Sequence, residues 1–178
     1  FLLLDVLHDT LKDRLQRWRA DTASYESTKG VVSRLLFNKS KKNRVHLSKM
    51  YSRIETVAKG VASGLKYLHD RQIVLRDLKP ANILIANDGS LKIADLGLGR
   101  IFGSGTFEVF SKVGTPLYMS PELLRGEGYE MKSDVWSVGC IIYELAELKS
   151  PFRDDGEKLS LKELFDRISA GNYRPMAS

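Results

Sequence analysis

Between Leu75 and Gly97 the chain places four polar side chains in an order suited to moving a phosphoryl group. Phosphoryl transfer to a hydroxyl needs a carboxylate that orients the attacking oxygen and accepts its proton. It also needs a cation near the transferring group, and oxygen ligands that hold Mg2+ on the donor's phosphates. Asp77 supplies the first, Lys79 the second, and Asn82 with Asp95 the third. Singly, each is an ordinary surface charge or turn residue. Their specificity lies in the run Leu75-Arg76-Asp77-Leu78-Lys79-Pro80-Ala81-Asn82, followed by Asp95-Leu96-Gly97.

These groups converge only if the chain doubles back between Asn82 and Asp95. Ile83–Ala86 and Leu91–Ala94 read as two strands around Asn87-Asp88-Gly89-Ser90, and Asp-Gly between apolar runs is a strong hairpin signal. Upstream, Phe1–Leu7 reads as a short buried strand. Leu7, Leu11, Leu15 and Trp18 then recur at helical spacing, giving a helix that fades near Asp21. Met50, Ile54, Val57, Val61, Leu65 and Leu68 form an amphipathic stripe from about Leu47 to His69. Downstream, Gly97–Gly114 is glycine-rich and aperiodic, which predicts a long mobile loop. Ser133 is the predicted cap of a helix running to about Leu148, and apolar residues all round it predict a buried hub. Leu161, Leu164, Phe165 and Ile168 mark a last amphipathic helix. The predicted class is α+β, mainly helical with short β-hairpins.

Composition sets the outer limits. With 178 residues and 43% hydrophobic side chains, the chain can build a core, which excludes wholesale disorder. The formal net charge is +6, and the excess is local: Ser27–Arg53 holds Lys29, Arg34, Lys39, Lys41, Lys42, Arg44, Lys49 and Arg53, and no acid. Nucleic-acid binding is one use of such a stretch; lacking interleaved aromatics, it reads instead as a solvated basic loop. The single cysteine, Cys140, excludes an internal disulfide framework, fits a reducing compartment, and reads as inert core within the hub helix. His8, His46 and His69 have no carboxylate or cysteine at ligand spacing, so no metal site is expected of them. The opening apolar run Phe1–Leu4 is too short for a membrane span or a signal-peptide core. An intracellular domain is expected, cytoplasmic, with the nucleus or cytoskeleton as alternatives.

The chain resembles the C-terminal lobe of a eukaryotic protein kinase. The family's H-R-D-x-x-x-x-N stands here as Leu75-Arg76-Asp77 through Asn82, its D-F-G as Asp95-Leu96-Gly97, and its A-P-E as Ser120-Pro121-Glu122. Gly114-Thr115-Pro116-Leu117-Tyr118-Met119 precedes the last of these, and Ser133-Asp134-Val135-Trp136-Ser137-Val138-Gly139 matches the family's central helix. A narrower similarity, to the NIMA-related kinases, runs through Asp95–Phe102, Gly114–Glu122, Ser150-Pro151-Phe152 and Gly171–Pro175.

The resemblance implies transfer of the ATP γ-phosphoryl to serine or threonine of protein substrates, with ATP and Mg2+ as cofactors. It implies Asp77 as base, Lys79 as charge stabiliser, and Asn82 and Asp95 as metal ligands. Thr115 would bond Asp77 and Lys79, and with Lys79 it marks the serine/threonine class. The backbone of Asp5 and Leu7 would meet the adenine edge, with Leu84 beneath the ring. Arg76 would sense a phosphorylated activation loop, Ser111 would be the phosphorylated residue, and Asp134 would hold the catalytic-loop backbone. An activating kinase or regulatory protein is an implied partner; membrane and nucleic acid are not. Residues 1–7 correspond to the last small-lobe strand and hinge, and 8–178 to the C-terminal lobe with a basic insertion at about 21–46. Leu75 and Leu96 replace the usual His and Phe, which implies weakened or differently regulated activity. No G-x-G-x-x-G loop and no V-A-I-K lysine occur, and the final helices, with the arginine that pairs Glu122, are missing. An incomplete catalytic domain, inactive alone, is therefore expected; the alternative is a pseudokinase or scaffold.

Overall fold

Thr10 closes a strand and opens a helix. In the computed structural model, which describes residues 7–23, 41–94 and 116–176, β1 spans Leu7–Thr10 and α1 spans Leu11–Ala23. The Thr10 N–H and hydroxyl both donate to Asp13 Oδ2, at 3.1 and 2.6 Å, and the Asp13 N–H returns a bond to Thr10 Oγ1 at 3.1 Å. This reciprocal cap starts the helix at Leu11, four residues after the apolar spacing placed it. The hydroxyl and N–H of Thr10 also hold the Asp13 carboxyl below the usual carboxylate range. The described strand is Leu7–Thr10, which meets the predicted stretch at Leu7; residues 1–6 of that stretch lie outside the described residues.

β2 (Ile83–Ala86) and β3 (Leu91–Ile93) form the expected hairpin, one residue shorter at its end. β1 joins it to make an antiparallel sheet in the order β1-β2-β3, with Thr10 opposite Leu84 and Ile83 opposite Ile93. Gly89 takes φ +81 in the turn, and Asp88 Oδ1 accepts from the Ser90 N–H at 2.8 Å.

α2 spans Lys41–His69, so the end of the supposed basic loop is the first part of a long helix. That part is polar, and hydrophobic periodicity had nothing to register there. Its apolar stripe buries Met50, Val57, Val61, Leu65 and Leu68 and packs on β3 and on α4 (Met131–Glu147). Closeness to β3 depends on glycine. A Cβ built on Gly60 would stand 2.8 Å from Leu91 Cδ1 and 3.2 Å from Leu91 Cβ, and one on Gly64 would stand 2.9 Å from Ile93 Cδ1.

α4 is the hub its composition suggests, buried along most of its length and contributing to both cores, but much of its buried side is polar. Ser133 lies inside its first turn instead of capping it: Glu130 is the N-cap, and its N–H donates to Ser133 Oγ at 3.4 Å. The buried side carries Ser133, Asp134, Ser137, Glu144 and Glu147 beside Ile141 and Leu145, while Val135 is 57% exposed. Leu11, Leu15, Val57, Val61, Leu65, Leu68, Leu75, Leu78, Ile83, Ile141 and Leu145 make the main core. A second cluster joins Cys140 and Phe152 to Leu164 and Ile168 of α5 (Leu161–Ser169), with Trp136 stacked on Phe152 at 5.7 Å. A short helix, α3 (Pro121–Leu124), lies before α4. No described helix is long and apolar enough to cross a membrane.

Gly60→Val is expected to destabilise the fold by about 1–3 kcal/mol through overpacking. Gly139→Ala, where a Cβ meets nothing within 4 Å, should instead stabilise α4 by about 0.5–1 kcal/mol. Thermal denaturation checks both, and an unchanged midpoint for Gly60→Val would contradict the close approach of α2 to β3.

Candidate active site

After α2 the chain turns sharply, with Gln72 at φ +59, and reaches Leu75 and Arg76. Arg76 sits at φ +67, a left-handed conformation that costs a side-chain-bearing residue free energy. A buried carboxylate holds it there. Asp134 is 0% exposed; its Oδ2 accepts from the Leu75 N–H at 3.1 Å, and its Oδ1 accepts from the Arg76 N–H at 3.2 Å. The Tyr129 hydroxyl donates to Oδ1 at 2.5 Å, and His69 Nε2 lies 2.8 Å from Oδ2. Burial first, and then the bond to Asp134, push the Tyr129 hydroxyl well above the usual tyrosine range.

His69 thus has the carboxylate partner that sequence spacing did not reveal. The partner stands 65 residues further on, in another helix. The pair is a hydrogen bond: among the described residues, no group of three or more His, Cys, Asp or Glu could hold a metal ion.

Beyond Arg76 the loop gathers its polar groups. Lys79 Nζ lies 2.5 Å from Asp77 Oδ2, both side chains partly exposed. Pro80–Asn82 forms a single 3-10 turn, opened by an extended Lys79 and closed by the Asn82 N–H on the Lys79 carbonyl at 2.9 Å. That turn carries the buried Asn82 side chain back to Asp77. Asn82 Nδ2 donates to the Asp77 carbonyl at 2.8 Å and lies 3.4 Å from Oδ2. The Ala94 N–H donates to the Asn82 carbonyl at 2.9 Å, so the hairpin returns the chain to Asn82 one residue before Asp95.

Three of the site residues are therefore together: Asp77, Lys79 and Asn82. Asp5, Asp95, Ser111 and Thr115 lie outside the described residues, as does the loop expected at 97–114. Leu7 is described in its backbone, opposite Ala86, and Leu84 is half-buried in β2. The Arg76 side chain is exposed. Cys140 is buried, and burial together with Glu144 pushes its thiol up to about 12, so it is poorly nucleophilic.

Two contacts, one at the buried Glu144 and one at the half-buried Glu122, had no local signal. Glu144 accepts from the Tyr118 hydroxyl and from Arg19 Nη2, both at 2.5 Å, while Arg19 Nε donates to the Leu148 carbonyl at 2.8 Å. This ties α1, α4 and the segment around Tyr118 together. Glu122, whose arginine partner in the family was expected to be missing here, accepts from Ser133 Oγ at 2.5 Å. Burial acts to raise the Glu122 carboxyl, but the Ser133 hydroxyl and a backbone bond outweigh it and hold the group below the usual range.

Residues 22–174 match the model of a family described as protein kinase domain. The chain is 47% identical over 108 residues to rhodopsin kinase GRK1 of Rattus norvegicus, covering 61% of this chain and 19% of that protein. It is 46% identical over 99 residues to serine/threonine-protein kinase 36 of Mus musculus, covering 56% and 8%. With serine/threonine-protein kinase Nek1 of Mus musculus the identity is 37% over 117 residues, covering 66% and 9%. The chain spans about a fifth or less of the length of these relatives. Kinases of quite different names match it, so the similarity supports a serine/threonine protein kinase and no single subfamily.

The Glu122 contact has a pH signature. A carboxyl lowered in the folded state contributes stability that is present above the ordinary glutamate range and lost as pH falls below it. Ser133→Ala removes the donor that lowers the group, so acid unfolding, followed by circular dichroism, should begin at higher pH than in the unaltered protein. An unchanged acid limb would show that the bond contributes nothing.

Proposed function

The chain belongs to the protein kinase domain family, and on that premise we propose that its protein transfers the γ-phosphoryl of ATP to serine or threonine hydroxyls of protein substrates. The observation that carries this reading is the packing of Asp77, Lys79 and Asn82 into one hydrogen-bonded group on a loop anchored from beneath by Asp134. Asp77 presents a partly exposed carboxylate that can orient a substrate hydroxyl and take its proton. Lys79 places a positive charge beside that carboxylate, where negative charge develops on the phosphoryl oxygens.

The loop also fits Mg2+. Asn82 commits Nδ2 to the Asp77 carbonyl, which leaves Oδ1, the hard oxygen that such a cation prefers, for a ligand. Asp95, the residue after Ala94, would be the second ligand. Mg2+ held there would neutralise phosphate charge during transfer.

The remaining roles belong to the same reading. The Asp5 and Leu7 backbone and the Leu84 side chain would receive the adenine, and Thr115 would bond Asp77 and Lys79. The exposed Arg76 side chain would pair with phosphorylated Ser111, placed there by an activating kinase. Within the family, a NIMA-related type is supported by Ser150-Pro151-Phe152 and by the similarity to Nek1. An intracellular, cytoplasmic setting is consistent with the single, buried cysteine. With no G-x-G-x-x-G loop or V-A-I-K lysine in these 178 residues, the chain is proposed to be inactive by itself.

The test uses the full-length polypeptide with labelled ATP, Mg2+ and casein as a general acceptor. Asp77→Asn should lower the transfer rate by about 10²–10⁴-fold while nucleotide still binds. No transfer by the unaltered protein, or an undiminished rate in Asp77→Asn, would overturn the reading.

A further inference from the structure

A basic loop scatters its charges, whereas a helix aligns them, and the second half of the basic stretch is the start of α2. Lys42, His46, Lys49 and Arg53 follow one another at intervals of 4, 3 and 4 residues, which a helical turn stacks along one side. Lys49 and Arg53 are both exposed. Further along α2, Lys59 meets Glu55 and Lys66 meets Asp70. Among the described residues neither Lys49 nor Arg53 has an ion pair, although Asp21 lines one hollow with Arg53 and Trp18. Like charges three and four residues apart repel, so the row works against the helix that carries it. Arg53 is also held in place: its guanidinium lies 4.9 Å from the centre of the Trp18 ring on α1. Such a row of cations is complementary to a row of anions.

Of the polyanions that could meet it, the structure favours one. Single-stranded nucleic acid needs open rings on which its bases stack. Trp18 is half-buried with Arg53 over it, and the exposed Tyr51 follows Lys49 by two residues, which places it on the far side of the helix. An anionic membrane needs apolar side chains beside the bases to enter it, and here Met50 and Val57 are buried in the core. An acidic stretch of protein needs neither. From Lys42 to Arg53 the helix rises about 16 Å, with successive bases about 4.5–6 Å apart along its axis. An extended chain covers that length with about five residues, and its alternate carboxylates stand about 6.6 Å apart, within reach of long basic side chains.

We propose that this side of α2 is a docking surface for acidic segments of the protein's substrates, with Lys42, Lys49 and Arg53 as its charged contacts. It lies at the opposite end of α2 from His69, which meets the carboxylate that holds the catalytic loop. Its effect is therefore on substrate capture and not on the transfer step. That consequence rests on the kinase reading; the binding surface does not.

The test uses the full-length protein and the fluorescence anisotropy of a labelled octaglutamate peptide. The peptide should bind at about 50 mM salt and weaken several-fold at about 200 mM. Lys42→Glu combined with Lys49→Glu should weaken binding roughly tenfold. Lys158→Glu combined with Lys162→Glu makes the same change in net charge at exposed lysines elsewhere, and should leave binding within about twofold. In the transfer assay, a serine peptide joined to octaglutamate should show a KM roughly tenfold below that of the same peptide joined to octaglutamine, with equal kcat. The Lys42→Glu, Lys49→Glu variant should erase that difference. No binding of octaglutamate, equal weakening by the two double variants, or no difference in KM would overturn the proposal. So would tighter binding of an oligothymidylate of similar charge, which would mark the row as a nucleic-acid surface. If the unaltered protein phosphorylates neither peptide, the kinase reading falls, and anisotropy alone decides whether α2 binds acidic segments.

Discussion

A carboxylate taken out of water must find its partners inside the protein, and at Asp134 that demand organises the site. Burying an unpaired charge costs several kcal/mol, whereas hydrogen bonds to a charged group contribute about 1.5–3 kcal/mol each. Asp134 reaches balance only when the end of α2, the Leu75–Arg76 backbone and Tyr129 all arrive together. The strained Arg76 backbone is part of that settlement. Its conformation delivers Asp77 on the outer side of the loop, beside Lys79, while the backbone N–H points inward. The loop that presents Asp77, Lys79 and Asn82 is thus held by a carboxylate that is not among them.

The second constraint is how closely α2 lies on the hairpin. Gly60 lets the helix approach Leu91 at a distance where a side chain would crowd its Cβ and Cγ, and at Gly64 a side chain would press on the end of Ile93. The hairpin in turn brings Ala94 back to Asn82 through a backbone bond. The helix that supplies His69 therefore also seats the strand that leads into Asp95. A shift in that helix would be felt at both ends of the loop. Glu144 repeats the principle on the other side of α4, where Tyr118 and Arg19 satisfy a second buried carboxylate and draw α1 inward.

What could be read from residue order depends on the range of each interaction. Asp77, Lys79 and Asn82 lie within six residues, and one 3-10 turn brings them together, so their spacing was informative. The hairpin and α5 were legible because each carries a local period or a turn dipeptide. The β1–α1 boundary was misplaced because Leu7, Leu11 and Leu15 keep a helical period through a strand. The Thr10–Asp13 cap was the better signal. The early start of α2 was invisible because residues 41–46 are polar except for Val45, and apolar periodicity reports only packed helices. The buried row of α4 was hidden by its composition. Asp134 and Glu144 find partners 65 and 125 residues away, and no local pattern encodes such distances.

The central claim is that one loop, held by Asp134, presents Asp77, Lys79 and Asn82 to Mg2+ and ATP. A crystal structure of the full-length protein with Mg2+ and a non-hydrolysable ATP analogue tests it most directly. The account predicts Asn82 Oδ1 and the Asp95 carboxylate on the metal, with the Leu75 and Arg76 N–H groups still bonded to Asp134. A nucleotide bound with its metal away from Asn82, or an Asp134 released from the loop, would contradict it.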